Sequence, residues 1–260
     1  MIEAEVHEQL RRWLRDQPDE TWPHHLTLAR LVARTLRQRR SALLQTAPAV
    51  GAPPYLISAL LPLLLWEGPA LLVAPAELLQ RLRQTELPRL VGSLGRAPAI
   101  HLGLPDAQSR PGLYFCDLDD WLAIALTDIP RPDWPVLLLG AEQLETMAEE
   151  RLTTRIGMED WDALALQAPH RREMLLDRRL QLLHHLGDRP ANPDECYALE
   201  SVELEPLLRL LGDLDGLTPV WQRFAAAGPA CCWAYLDRRL GRFQLLHRPL
   251  DLSDRLRRVW

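Results

Sequence analysis

Short, continuously apolar segments separated by helical stretches constrain the fold of this chain more than any other feature. Three of them read PALLVAP (69–75), GLYFC (112–116) and PVLLLG (135–140). Strands that are apolar on both faces are typical of parallel sheets, because helices cover both sides of such a sheet. SALLQT (41–46) is a further strand candidate, followed by a loop and an apolar helix. We therefore predict an α/β fold with a right-handed βαβ unit over 41–84.

The rest of the chain is predicted mainly from the spacing of its apolar residues. Residues 1–40 show two helical stripes separated by a break, and 98–104 and 242–250 are additional strand candidates. The stretch 161–224 has leucines at helical spacings and no strand pattern, which predicts an inserted all-helical subdomain. We expect three consecutive parts: a first α/β segment over 1–152, the helical insertion over 153–226, and a return to the first domain over 227–260.

Composition limits the classes of function. The chain has 260 residues and a formal net charge of −5, and its longest apolar stretch is interrupted before it reaches membrane-spanning length. The charged N-terminus differs from a signal peptide, and four cysteines fit a reducing compartment, so we expect a cytoplasmic protein. No lysine occurs, which excludes Schiff-base chemistry and a lysine on a bound phosphate.

The loop over 47–54 stands where a strand, a small-residue loop and a helix would form a phosphate site. A working phosphate-binding loop needs glycines, a lysine and a hydroxyl that binds magnesium. Here Gly51 is the remaining glycine, Ala52 replaces the lysine, and Pro53 replaces the hydroxyl. The pattern indicates either a plain connection between a strand and a helix or a degenerate nucleotide site.

The strand candidate 135–140 ends where many nucleotide-binding proteins carry acidic residues. Gly140 and Ala141 occupy the strand end, followed by Glu142 and Gln143. Glu142 is either a site residue or a solvated residue in the first turn of a helix, where a negative charge is favoured.

Metal binding and nucleophilic catalysis have little support. Adjacent residues on a helix point in different directions, so three sequence pairs do not have chelating spacing: His24–His25, His184–His185 and Cys231–Cys232.

Arginine clusters with nine tryptophans indicate either contacts with bases and phosphates or salt-bridged, solvated faces.

The order of these segments resembles the first motor domain of DinG/XPD-type superfamily 2 DNA helicases over nearly the whole chain. The resemblance implies a RecA-like parallel sheet flanked by helices. The matching segments are the family's N-terminal motif (22–36), the Walker A strand, loop and helix (41–65), the next strand and helix near single-stranded DNA (69–82), the DEAH strand and its helix (136–152), the inserted arch (161–224), and the segment after the arch (233–260).

The resemblance also assigns positions to residues. His25 falls at the adenine-reading glutamine, Gly51 lies in the phosphate loop, and Glu142 and Gln143 lie at inherited nucleotide-site positions. Arg81, on the helix after the second strand, falls near single-stranded DNA.

The departures from the family pattern decide the expected activity. Ala52, Pro53, Gly140 and Ala141 replace the lysine, the hydroxyl and the acidic groups, so the family's ATP and magnesium are not expected to bind productively. Only Cys116 lies between the two nucleotide motifs, so no iron–sulfur cluster is expected there.

Three hypotheses remain open at this point. The first is a catalytically degenerate domain that contacts single-stranded DNA or a protein partner. The second is a protein-interaction module that does not bind nucleic acid. The third is half of a longer ATP-dependent helicase whose second motor domain completes the site.

Overall fold

The computed structural model of the chain describes residues 2–17, 19–46, 53–95, 97–106, 108–127 and 133–257. The chain divides into two units, Met1–Leu144 with Arg255–Trp260, and Glu145–Asp254. Each unit has its own hydrophobic core. We call them unit 1 and unit 2.

Unit 1 begins with two amphipathic helices, α1 (Ile2–Arg15) and α2 (His25–Gln38), which pack against each other. Both form where the apolar periodicity predicts them. The inward face of α2 includes Val32 and Leu36, and the arginines of the helix lie outside. The next helix, α3 (Leu56–Leu64), is apolar apart from one serine and is buried along its whole length. A helix of this kind is stable only inside a core.

The sheet of unit 1 is parallel, as the apolar strands predict. Its strands have the order β2-β3-β1-β4. Every residue of β1 is buried, because strands and helices surround it. The elements in chain order are β1 (Ala70–Ala74), α4 (Ala76–Arg81), a π-helical turn (Leu82–Glu86), α5 (Leu87–Leu94), β2 (Ile100–Leu102), β3 (Leu113–Asp117), α6 (Leu118–Ala125), β4 (Val136–Leu138) and a 3₁₀ turn (Ala141–Gln143).

The predicted strand at 41–46 does not form, and this corrects the expected βαβ unit over 41–84. These residues have no regular secondary structure, and most of them are exposed. A strand is stabilised by hydrogen bonds to a neighbour, and no described strand pairs with this segment. The apolar pattern therefore overestimated the strand content before α3.

Unit 2 contains helices and an antiparallel sheet with the strand order β5-β8-β7-β6. Helix α7 begins at Leu144, one residue before the first residue of unit 2. The elements are α7 (Leu144–Leu152), β5 (Thr154–Ile156), α8 (Met158–Gln167), a 3₁₀ turn (Pro169–Arg171), α9 (Arg172–Gly187), β6 (Cys196–Ala198), α10 (Ser201–Gly212), α11 (Pro219–Ala227), β7 (Cys232–Asp237), β8 (Arg242–His247) and α12 (Ser253–Arg257), the last ending beyond unit 2.

The core of unit 2 is built around aromatic side chains. The rings of Trp161 and Trp221 meet edge to face with their centroids 5.0 Å apart, and Phe224 packs edge-on against Trp221. Trp221 is fully buried and donates its indole N–H to the carbonyl of Asp160 at 3.1 Å. Pairs of this kind stabilise a core beyond the area that they bury.

The structure corrects the expected all-helical insertion over 153–226. β5 and β6 lie inside this range, but each has only three residues, which is too short to leave a pattern of alternating polarity. The hairpin of β7 and β8 pairs with them, so 227–254 belongs to unit 2 and does not return to the parallel sheet. Its inward residues pack in the core of unit 2, which explains this arrangement.

In the described ranges, no helix combines the length and the apolar character that crossing a membrane requires.

Candidate functional site

The carboxyl edge of the parallel sheet is the place where an α/β protein of this kind would bind a ligand. Here β1 leads into Pro75, β3 ends at Asp117, and β4 is followed by Leu139 and Gly140. We call the region around Pro75, Asp117 and Gly140 the carboxyl edge. It contains the described part of the predicted nucleotide site.

Gly140 adopts a left-handed backbone with φ of 79°. A Cβ atom at this position would lie 2.9 Å from Cγ of Pro75, which is closer than real contacts allow. The ring of Pro75 therefore fills the space that an aspartate side chain would need. Glycine is required here both by the backbone conformation and by the close approach of Pro75.

Glu142 and Gln143 lie in the 3₁₀ turn after Gly140, and both are exposed. The negative charge of Glu142 contributes to a raised pKa of the Tyr55 hydroxyl, whose main cause is burial. Tyr55 stands immediately before α3. The charge of Glu142 therefore acts on a residue at the start of α3, and the nucleotide-site role that the resemblance gives Glu142 stays a prediction.

The phosphate loop itself is only partly described. Gly51 and Ala52 lie outside the described residues, whereas Pro53 and Pro54 stand before the start of α3. Proline has no backbone N–H, so neither residue can donate a hydrogen bond to a phosphate.

His25 lies in the interior of unit 1 and not on an open site. It is 2% exposed, and its Nδ1 shares a hydrogen bond of 2.7 Å with Oγ of the buried Ser58 on α3. Its Nε2 lies 3.8 Å from a carboxylate oxygen of Glu20, and Trp22 packs edge-on against the ring. Burial lowers the pKa of His25, and the nearby charge of Glu20 opposes that shift. The observed role of His25 is to connect α2 and α3.

The guanidinium group of Arg81 forms an ion pair with Glu86. Its Nε donates to Glu86 at 3.2 Å, and Glu86 is buried and also accepts from Arg89 at 3.1 Å. Arg89 also donates to Glu20 at 2.9 Å. Glu20 is the same carboxylate that lies 3.8 Å from Nε2 of His25. Sequence reasoning missed this network. Nothing in the local sequence distinguishes the buried Glu86 from a solvated glutamate.

Ser58 is a different case, because a signal for it does exist. It is the only polar residue in the segment LISALLPLLL (56–65), which is otherwise apolar. A lone polar residue in a buried helix must find a hydrogen-bond partner, so its position alone indicates an internal contact.

Unit 2 contains an open cleft of about 640 Å³ beside the β7–β8 hairpin. Arg238 lies between this cleft and a second one of about 420 Å³. Its guanidinium binds Glu195 at 2.9 Å, the carbonyls of Gly187 and Arg189 at 2.7 Å each, and the hydroxyl of Tyr197 at 2.8 Å. Because these contacts use most of its donors, Arg238 holds the hairpin in place and does not offer a free cation.

Within the described residues, no group of three or more His, Cys, Asp or Glu side chains is placed to hold a metal ion. His24 is exposed while His25 is buried, and Cys231 and Cys232 are both free thiols. Burial raises the pKa of Cys232 to about 12, so its thiolate is not available near neutral pH.

Comparison with known proteins assigns no family. No protein-family model matches the chain, and no curated protein matches it either.

The carboxyl edge does not fit ATP with magnesium. The chain lacks lysine, Pro53 and Pro54 cannot donate, and Pro75 fills the space beside Gly140. Among the described residues, the edge offers the exposed turn with Glu142 and Gln143 and the carboxylate of Asp117, which accepts a hydrogen bond from the backbone N–H of Asp119.

Proposed function

We propose that the chain is a helicase-derived, RecA-like domain that has lost nucleotide chemistry and binds single-stranded nucleic acid. The observation that carries the proposal is the carboxyl edge of the parallel sheet. Its parallel strands and the turn after β4 are compatible with a RecA-like layout, although the strand expected before the phosphate loop does not form, and Pro75 packs against Gly140, the position that the resemblance assigns to the metal-binding aspartate. The DinG/XPD-type resemblance supplies the expected partner.

Loss of ATP hydrolysis follows from the residues of this edge. Phosphoryl transfer depends on cations and hydrogen-bond donors that neutralise the developing charge. Neither Gly140 nor Ala141 can hold magnesium, and no lysine can reach the phosphates. A domain without these groups has no means of coupling nucleotide hydrolysis to strand separation.

Nucleic-acid binding does not depend on the missing groups. It depends mainly on arginine side chains that neutralise backbone phosphates. Arg81 and Arg83 lie at the end of α4 and in the following π-helical turn, and both are exposed. Arg83 has no ion pair among the described residues, and the terminal nitrogens of Arg81 remain available beside its contact with Glu86.

The experiment is an anisotropy titration of a labelled single-stranded oligonucleotide at about 50 mM and about 200 mM salt, with and without ATP and magnesium. We expect binding that weakens at the higher salt concentration and does not respond to ATP. An ATP-dependent change would contradict the loss of the nucleotide site. Absence of binding at the lower salt concentration would contradict the nucleic-acid function.

A second candidate function is protein interaction, and one observation favours it. β4 pairs with β1 on one side only among the described strands, and Val136 on this edge strand is 47% exposed. Leu43 in the unpaired segment 41–46 is 79% exposed. An open apolar edge can accept a strand from another protein. The same titration separates the two candidates, because this one predicts no binding of the oligonucleotide.

A further inference from the structure

The charge of the chain is distributed unevenly. Between Thr21 and Trp66 the sequence contains five arginines and no aspartate or glutamate, although the whole chain has a net charge of −5. All five arginines lie on α2 or directly after it. A local basic surface is therefore present on a protein that is acidic overall, which concentrates positive potential in one place.

The helix presents these arginines on one side. Leu28, Val32 and Leu36 are buried in the core of unit 1, and Arg30 and Arg34 are exposed on the opposite face. Residues four apart lie on the same side of a helix, separated by about 6 Å along the axis. We call Arg30 and Arg34 the α2 arginine pair.

Two of the neighbouring arginines, Arg37 and Arg39, lie near acidic residues, whereas this pair does not. Arg37 donates to Glu3 of α1 at 2.7 Å. Arg39 approaches Asp133 at 3.9 Å, in a contact whose side chains are both largely exposed and which is therefore weak. In the described part of the chain, Arg30 and Arg34 have no acidic partner within ion-pair distance, and their guanidinium groups remain available.

The surroundings of the pair indicate the chemistry of its partner. A helix that lies in a membrane surface exposes a broad apolar face, but the apolar face of α2 is directed into the core. A protein interface needs apolar or aromatic anchors at its centre, and Leu31 is the only large apolar side chain exposed on this helix. Exposed guanidinium groups without anchors suit a row of phosphates, which they bind in a bidentate manner.

We propose that the outer face of α2 binds the phosphodiester backbone of nucleic acid through the Arg30–Arg34 pair. This inference rests on the proposed nucleic-acid function and adds to it a second contact surface, distinct from Arg81 and Arg83. Arg40, exposed and without an acidic partner among the described residues, lies beyond the end of the same helix and extends the basic surface.

The test compares Arg30→Ala/Arg34→Ala with a matched control, Arg172→Ala/Arg223→Ala. The control residues are also exposed helical arginines without an ion pair in the described ranges, and they lie in unit 2. Both double variants change the net charge by the same amount. Single-stranded and duplex oligonucleotides are titrated with each protein, and circular dichroism checks that each variant is folded.

We expect the α2 variant to lose affinity about tenfold or more at low salt. The slope of log affinity against log salt should become shallower by about 1.4 for a single strand, or by about 1.8 for a duplex, because two phosphate contacts are lost. The control should bind like the native protein.

Each other outcome has a distinct meaning. If the native protein does not bind at all, the proposed function fails. If the native protein and the α2 variant bind equally well, the function stands and the assignment to α2 is wrong. If both double variants weaken binding equally, the effect is one of net charge, and the assignment to α2 is also wrong.

Discussion

At the scale of single residues, we expect the buried His25 to make the stability of unit 1 depend on pH. Burial lowers its pKa in the folded protein below the ordinary value near 6.5, so the folded state binds a proton less readily than the unfolded state does. Protonation would place a charge beside Ser58 in the core, and Glu20 is the one acidic residue of the described ranges within ion-pair distance of it.

The sign of the pH dependence follows from this lowered pKa. Between the lowered folded-state pKa and the ordinary value near 6.5, the unfolded state binds more protons, so the free energy of unfolding should fall as the pH drops from about 7.5 to about 5.5. His25→Gln, which cannot be protonated, should remove most of this fall. Urea unfolding at several pH values measures both proteins. His170→Gln, at an exposed position, is the control and should keep the native pH dependence.

An unchanged pH dependence in the His25→Gln protein would contradict this role of the buried imidazole. If both variants lost the pH dependence of the free energy of unfolding, the dependence would come from histidines in general and not from His25.

At the scale of elements, the turn that follows β4 is fixed by Gly140. Gly140→Ala should lower the free energy of unfolding by about 1–3 kcal/mol, because an L side chain is strained at φ of 79° and its Cβ would meet Pro75. The matched control is Gly92→Ala. Gly92 lies in α5 with open space around its Cβ position, and alanine should stabilise that helix by about 1 kcal/mol.

Chemical denaturation measures the free energy of unfolding, which should decrease in Gly140→Ala and increase in Gly92→Ala. Equal effects in both proteins would show that the close approach of Pro75 does not restrict position 140.

At the scale of the whole molecule, the two cores predict separate effects of core substitutions. Trp221→Ala should destabilise unit 2 by about 3–5 kcal/mol, since the side chain is fully buried and donates to Asp160. Hydrogen exchange followed by mass spectrometry should show lost protection in β7 and β8, with β1 and β3 still protected.

Leu72→Ala, in the fully buried β1, is the reciprocal variant. It should lower protection in the parallel sheet and leave the antiparallel sheet unchanged. Equal loss of protection in both sheets for either variant would mean that the units unfold as one.

The sequence by itself determined the parallel sheet and its flanking helices. β1 and β4 lie within predicted apolar segments, and β3 overlaps one and extends one residue further, to Asp117. The pattern is clearest for β1, because a strand buried on both faces must be apolar at consecutive positions. The absence of lysine and the proline pair before α3 also follow from the sequence, and they limit the chemistry without any coordinates.

Only the tertiary structure decided which segments find partners. SALLQT (41–46) has the composition of a strand but no described neighbour to pair with, whereas the short β5 and β6 form because the hairpin of β7 and β8 lies beside them. In the same way, His25 is a core residue because Ser58 faces it, and Gly140 is required because Pro75 approaches it. Hydrogen-bond partners and close contacts come from residues distant in the sequence, so local pattern does not encode them.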